Sequence, residues 1–424
     1  MKESAELVAL LQALMPTSLA EIDLSLARVE RFLQVCGNPQ RRIPPVIHVA
    51  GTNGKGSTLA FLRAILEQAG HRVHVYTSPH LVNFCERIVI AGQQVDEATL
   101  IPVLSSVLER TKHIPLTFFE ATTVAAFELF ARYEADFTLL EVGMGGRLDA
   151  TNLVDPAVSV ITPVSLDHTE FLGDSLAAIA GEKAGIIKAH RPVVIAEQQP
   201  AAMQRMTDKA IQLAAPLWRY GVEWVVHQAS YQAQGRTIPL NQLALVGQHQ
   251  QMNAATALAT LDALGLDIPK EVTLRGLASA RWPARLQRLS EGPLIKALPA
   301  GHELWLDGSH NEAGAQTIAE WANGRNVRLH VICGMVNRKD AAAFIRGVDV
   351  VADSVYLIDI PYEKSSYRAA DLQAIAQRAG VAAKTAPSLQ QAIASIVQET
   401  AHSPTIIMIC GSLYLAGRVL EKNR

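Results

Sequence analysis

Gly51-Thr52-Asn53-Gly54-Lys55-Gly56-Ser57-Thr58 places three glycines, a lysine and three hydroxyl side chains within eight positions. Glycines let successive backbone N–H groups turn toward phosphate oxygens. A lysine in such a loop reaches β and γ phosphates, and a following hydroxyl can approach a metal ion. The chemistry this set suits is the binding of a nucleoside triphosphate with a divalent cation. The plainer alternative is a glycine-rich turn between a strand and a helix. The loop departs from the common Walker A spacing, which needs a glycine where Val49 stands, and Gly56 separates Lys55 from Ser57. A second glycine cluster, Gly143-Met144-Gly145-Gly146-Arg147-Leu148, has Leu148 where a dinucleotide fingerprint needs its last glycine, so NAD binding there is rejected.

The surrounding pattern supplies elements to position the first loop. Pro45 to Val49 is a short apolar run that precedes it, and Phe61, Leu62, Ile65 and Leu66 follow at helical spacing, with Gly70 as a stop. Val73 to Tyr76 reads as the next strand, giving a strand–helix–strand unit with parallel strands. Phe137 to Val142 is a buried strand, and Glu141 near its carboxyl end is placed where a carboxylate can hold Mg²⁺. The alternative for Glu141 is a strand-end carboxylate facing solvent. Val158 to Ile161 and Val193 to Ala196 continue the series, with Ser175 to Lys188 helical between them. Trp218 to Leu245 reads as a small antiparallel patch, and Gln250 to Leu264 as an alanine-rich helix. A second alternating series has strands at Glu303 to Leu306, Arg328 to Cys333, Ser354 to Ile358 and Thr405 to Ile409. The predicted fold is α/β in two domains: residues 1–290, a Gly/Pro-bearing linker at 291–301, and residues 302–424.

Composition narrows the class. The 424 residues are 49% hydrophobic and 18% charged, which is globular rather than disordered. Thirty-eight basic against 40 acidic side chains give a net charge of −2, so no field recruits nucleic acid or an anionic membrane. Cys36, Cys85, Cys333 and Cys410 form no CxxC pair, which fits a reducing cytoplasm. The N-terminus lacks a signal-peptide pattern, and no apolar run reaches the roughly 18 residues a membrane span needs.

An ordered series of segments resembles folylpolyglutamate synthase and the bifunctional dihydrofolate synthase, of the Mur ligase superfamily. Besides the first loop it comprises Thr77-Ser78-Pro79-His80-Leu81, the run from Glu141 to Asn152, Leu166-Asp167-His168-Thr169, Glu182-Lys183-Ala184-Gly185-Ile186 and Gln251-Met252-Asn253-Ala254-Ala255. Trp282-Pro283-Ala284-Arg285, Asp307-Gly308-Ser309-His310-Asn311 and the run from Gly334 to Asp340 complete it. The resemblance implies a P-loop N-terminal domain with a mostly parallel sheet and a smaller Rossmann-like C-terminal domain. It implies ATP-dependent ligation of L-glutamate to dihydropteroate, to reduced folates or to both. In that reaction the acceptor carboxylate takes the γ-phosphoryl group of ATP, and the glutamate amine displaces phosphate from the acyl phosphate. Other readings are a different amide ligase of the superfamily or a non-catalytic nucleotide-binding regulator. Only about 50 residues precede the loop, too few for the extra N-terminal domain a peptidoglycan-precursor ligase would need.

By the same resemblance Thr52, Asn53, Gly54, Lys55, Gly56, Ser57, Asn253, Arg285 and Asp307 bind ATP. Ser57, Ser78, Glu141 and His168 are the expected ligands of Mg²⁺, although an imidazole is unusual for that ion. Lys55, Lys183 and His310 are the expected catalytic residues, with Lys183 a candidate for N6-carboxylation. Phe119, Glu120, Ala121, Thr122, Leu148, Asp149 and Ala150, together with the Ile22-Asp23-Leu24 region, are expected on the folate side. Glu312 stands where many relatives have proline after His-Asn, which bears on acceptor preference. The expected protein is a cytoplasmic monomer acting on small molecules, with neither a nucleic acid nor a membrane as partner.

Overall fold

Every residue of β1 (Val46–Ala50) is buried, as a strand covered on both faces requires. In this computed structural model, which describes residues 3–15, 25–323, 325, 327–400 and 403–423, β1 is central to the larger of two sheets. The Ile22-Asp23-Leu24 region lies outside the described residues. The chain divides into two compact units, Met1–Ala244 with Gln250–Arg281, and Leu245–His249 with Trp282–Arg424.

In the first unit β2 is Val73–Tyr76, β3 Ile88–Ile90, β4 Gln93–Gln94, β5 Phe137–Glu141, β6 Val158–Ile161, β7 Val193–Ile195 and β8 Leu217–Arg219. The sheet order is β4-β3-β2-β5-β1-β6-β7-β8. All neighbours are parallel except the β2–β3 and β3–β4 pairs. β1 and β2 flank the helix Lys55–Gln68 in sequence but are not neighbours in the sheet, since β5 lies between them. That insertion brings the carboxyl ends of β1 and β5 together, with Val49 level with Glu141. The site is built there, where ligands of open α/β sheets lie.

The expected antiparallel patch is real but shorter than 218–245. β8 joins the parallel sheet, with Trp218 level with Val194 and the Val193 N–H donating to the Pro216 carbonyl at 2.9 Å. Only β9 (Val225–His227), β10 (Ser230–Ala233) and β11 (Arg236–Pro239) form the separate antiparallel sheet. Its anchor is Tyr231, whose hydroxyl donates to Asp262 at 2.6 Å, beside the Arg236–Asp262 ion pair at 2.5 Å.

The second unit has β12 (Gln287–Leu289), β13 (His302–Leu306), β14 (Arg328–Cys333), β15 (Ser354–Leu357), β16 (Ala383–Thr385) and β17 (Thr405–Cys410). Their order is β12-β13-β17-β14-β15-β16, parallel except for the β12 edge. This matches the predicted Rossmann-like half. The stretch 291–301 lies inside this unit, because β12 before it pairs with β13 after it. A helix, Pro293–Lys296, starts within the stretch at the Gly-Pro pair. Among the described residues no helix is long and apolar enough to cross a membrane.

Candidate active site

The loop after β1 is held from below by the end of β6. The Thr52 and Asn53 N–H groups donate to the Pro163 carbonyl at 3.1 and 3.2 Å. The Thr52 hydroxyl donates to the Ser165 carbonyl at 3.1 Å, and the Asn53 side-chain amide to Ser165 Oγ at 3.1 Å. Gln198 braces the same segment, accepting from Val164 N–H and donating to the Thr162 carbonyl, both at 3.0 Å. Sequence reading missed Ser165 and Gln198, since neither lies in a recognisable motif. Thr52 and Asn53 are expected among the ATP-binding residues; their backbone amides are taken by Pro163, so the amides left for an anion start at Gly54.

Gly54 precedes the helix Lys55–Gln68 with φ +88°, and no side chain caps the helix. A Cβ here would collide with Asn253 Oδ1, so only glycine fits the turn. With no side-chain cap, the first-turn N–H groups and the helix dipole are available to an anion. Gly56 and Ser57 are buried in that first turn. Asn253 is also buried, and its amide donates to Gln250 Oε1 at 3.0 Å. Gln250, fully buried, donates in turn to Ser57 Oγ at 3.4 Å.

Two lysines converge beside this turn. Lys55 Nζ donates to the carbonyls of Gly51 and Thr52 at 3.2 and 3.3 Å. Lys183 Nζ, from the helix Leu176–Lys183, donates to the same Gly51 oxygen at 2.9 Å. Lys183 is only 4% exposed. Burial pulls its pKa down to about 7, with the charge of Lys55 acting in the same direction against Asp167 and Asp149. Lys55 Nζ also stands 4.0 Å from Glu141 Oε1, and the other Glu141 oxygen accepts the Ser78 N–H at 3.2 Å. The Ser78–Pro79 peptide is cis.

The cation expected here fits part of this set. Ser57, Ser78 and the buried Glu141 offer hard oxygen donors, and among the described residues no three His, Cys, Asp or Glu cluster as a metal cage. Mg²⁺ is held in this sparse manner, by one or two protein oxygens plus water and phosphate. His168 fits less directly. It begins a short helix in the left-handed conformation, its side chain is 42% exposed, and Nε2 lies 3.9 Å from Asp167 Oδ2.

Of the residues expected on the folate side, Phe119 lies against the loop that follows Glu141. A Cβ on Gly143 would collide with its ring, so the ring and the glycine backbone form one surface. Asp149 is buried, and its carboxylate accepts the Met144 N–H at 2.9 Å and the Thr151 hydroxyl at 2.5 Å. Leu148 is half-buried and Ala150 buried. Ala121 and Thr122 have no accessible surface, so they back this wall rather than line it. The sequence pattern could not separate them from Phe119, since apart from Glu120 and Glu128 the helix Phe118–Phe130 carries only apolar residues and threonine. Glu120 caps that helix, accepting from Thr117 N–H at 2.6 Å, and pairs with Arg28 at 2.7 Å.

In the second unit, Asp307 organises a turn. One of its oxygens accepts the Leu286 N–H at 2.7 Å and the other the Ser309 N–H at 2.8 Å. Ala284 and Leu286 both have positive φ, and the Gly308 N–H donates to the Ala284 carbonyl at 2.9 Å. Between them Arg285 is partly exposed, with Nη1 2.8 Å from the Ala284 carbonyl. His310 Nδ1 lies 3.0 Å from the Gly308 carbonyl.

Comparison with known proteins agrees with this architecture. The Mur ligase middle domain matches residues 49–261, and the dihydrofolate synthetase C-terminal domain matches 297–422. The dihydrofolate synthase/folylpolyglutamate synthase of Escherichia coli (strain K12) is 35% identical over 406 residues, covering 94% of this chain and 91% of that protein. The chain belongs to the dihydrofolate synthase/folylpolyglutamate synthase family. Among solved members, Mycobacterium tuberculosis folylpolyglutamate synthase complexed with ADP superposes with a TM-score of 0.87 at 31% identity, covering 98% of each chain. E. coli FolC in complex with DHPP and ADP gives 0.86 at 33% identity, over 99% of this chain and 98% of the other. As a member of that family the chain is an ATP-dependent ligase, and its first unit has the phosphate loop this chemistry needs.

Proposed function

We propose that this chain joins L-glutamate to dihydropteroate, to reduced folates, or to both, through an acyl phosphate made at the expense of ATP. The observation that carries the reading is the convergence of Lys55, Lys183 and Glu141 on the carboxyl end of β1, beside an uncapped helix N-terminus. Backbone N–H groups from Gly54 onward cradle the phosphates, and Lys55 neutralises the γ-phosphoryl group as the acceptor carboxylate attacks it. Ser57, Ser78, Glu141 and His168 are the residues to hold Mg²⁺, which when bound supplies positive charge to the phosphate oxygens. Asn253, Arg285 and Asp307 are assigned to the nucleotide, Phe119, Leu148 and Asp149 to the acceptor wall, and His310 to the reacting carboxylate.

Lys183, with a pKa pulled to about 7, keeps a substantial neutral fraction at physiological pH. A neutral amine adds CO₂ to give a carbamate and releases one proton, turning a buried cation into an anion that suits a metal-bearing site. The reading also takes the chain as a cytoplasmic monomer. Its four cysteines are free thiols, which accords with a reducing compartment.

The test is phosphate release by the purified chain with ATP, Mg²⁺ and glutamate, followed by mass spectrometry of the products. Stimulation by dihydropteroate, by tetrahydrofolate or by both is expected, with products heavier by one glutamyl residue for each phosphate released. If neither acceptor stimulates release, the folate assignment fails. Light scattering of the same sample reads the oligomeric state.

A further inference from the structure

His48 lies in the middle of β1, three residues ahead of Gly51, and is fully buried. Its Nε2 is 2.9 Å from Thr151 Oγ1, whereas Nδ1 makes no hydrogen bond. Thr151 Oγ1 is in turn 2.5 Å from Asp149 Oδ1, and the Thr151 N–H donates to that same oxygen at 3.0 Å. The Asp149 carboxylate also accepts the backbone N–H group of Met144 at 2.9 Å.

The directions of these bonds follow from the donors available. A carboxylate that meets three donors acts as an acceptor, so the Thr151 hydroxyl directs its single proton to Asp149. Its lone pair then faces His48, which must donate from Nε2. This fixes the neutral Nε2–H tautomer and leaves Nδ1 as a bare lone pair. An N–H at Nδ1 would be an orphaned buried donor, the costlier arrangement. Burial, with the charge of Lys188 nearby, holds the ring neutral at physiological pH.

We infer that His48 is a positioning residue for the acceptor-side loop Gly143–Asp149, acting through Thr151 on Asp149. Asp149 ties down Met144, two residues past Val142, so the relay sets where the chain goes after Glu141. The far side of the loop is anchored separately. Arg147 N–H donates to the Glu182 carbonyl at 2.8 Å, and the Asn152 amide donates to the carbonyls of Arg147 and Gly185 at 3.0 and 3.1 Å. The loop is thus strung between β1 and the segment bearing Lys183, and His48 is its attachment to β1. His48 has no accessible surface, so it acts only through the groups it is bonded to. Its effect on the acceptor rests on the reading of Leu148 and Asp149 as acceptor-side residues, but the tautomer does not.

Two measurements on the full chain test this. In protein labelled with ¹⁵N at the histidine ring, His48 should remain a neutral Nε2–H tautomer from pH 6 to 8. A charged ring, or an Nδ1–H tautomer, overturns the relay whatever the substrate proves to be. In steady-state kinetics, His48→Phe and Thr151→Val should each raise the acceptor KM about tenfold, the equivalent of one lost buried hydrogen bond, with the KM for ATP within about twofold. His48→Gln and Thr151→Ser keep a donor or hydroxyl in place and should stay within about threefold of the parent. Equal changes in both KM values, or no rescue by Gln and Ser, would mean a general structural role and overturn the inference. Absence of any turnover with folate acceptors would instead strike the functional assignment and leave the tautomer result standing.

Discussion

Lys55 and Lys183 donate to one carbonyl oxygen, that of Gly51, at 3.2 and 2.9 Å. Two ammonium groups on a single acceptor repel each other, and Lys183 is the more deeply buried. It is accordingly the one whose proton is loosened. The arrangement sets beside the Lys55 ammonium a lysine amine that can be neutral near pH 7.

Stability should depend on pH through Lys183. The unfolded lysine titrates near 10.5 and the folded one near 7, so between these values the unfolded chain binds more protons. Stability contributed this way rises as pH climbs through that window and is lost as pH falls back to 7, on the order of 1 kcal/mol per pH unit. Denaturant unfolding at pH 7 and pH 9 in CO₂-free buffer checks it. Lys183→Met should flatten the difference, and an unchanged slope in that variant would refute the assignment.

Lys55→Ala should lower turnover by at least about 10²-fold, the scale for removing a charge-stabilising donor. Its side chain caps two loop carbonyls but fills no core, so circular dichroism should be unchanged. An unfolded variant would make the loop structural instead.

Gly143→Ala should raise the acceptor KM and spare the KM for ATP, because the added methyl displaces the Phe119 ring. Combining it with Phe119→Leu relieves the collision. The double variant should therefore lose less than the two single effects summed, with a coupling of roughly 0.5–3 kcal/mol. Strict additivity would show that the two residues do not share a surface.

Asp307 and Arg285 should separate by their readouts. Asp307→Ala strips the acceptor from two backbone N–H groups and should lower the stability of the second unit by about 2–3 kcal/mol in thermal unfolding. Arg285→Ala should leave the melting temperature nearly unchanged while weakening ADP binding in calorimetry. A stable Asp307→Ala variant would contradict the turn described here.

Much of this was legible in the residues because the relevant information is local. The phosphate loop, β1, β2, β5 and the second alternating series declared themselves through runs of apolar residues broken by glycine, and the structure places a strand at each apolar run. Glu141 was legible for the same reason, as an acid ending a buried strand. What sequence could not give is lateral order and hydrogen-bond direction. It read β1 and β2 as one strand–helix–strand unit, whereas β5 sits between them and thereby sets Glu141 beside Lys55. It grouped Ala121 and Thr122 with Phe119, although only the ring lies against the Gly143 loop.

By itself the sequence determined the α/β class, the nucleotide loop and the ordered motifs that mark the family, since each depends on residues close together in the chain. The tertiary structure decided that the Thr52 and Asn53 amides serve Pro163, that Lys183 shares an acceptor with Lys55, and that His48 reaches Asp149 through Thr151. Those contacts join residues about a hundred or more positions apart. Burial then fixes proton positions and charge states that no stretch of chain carries alone.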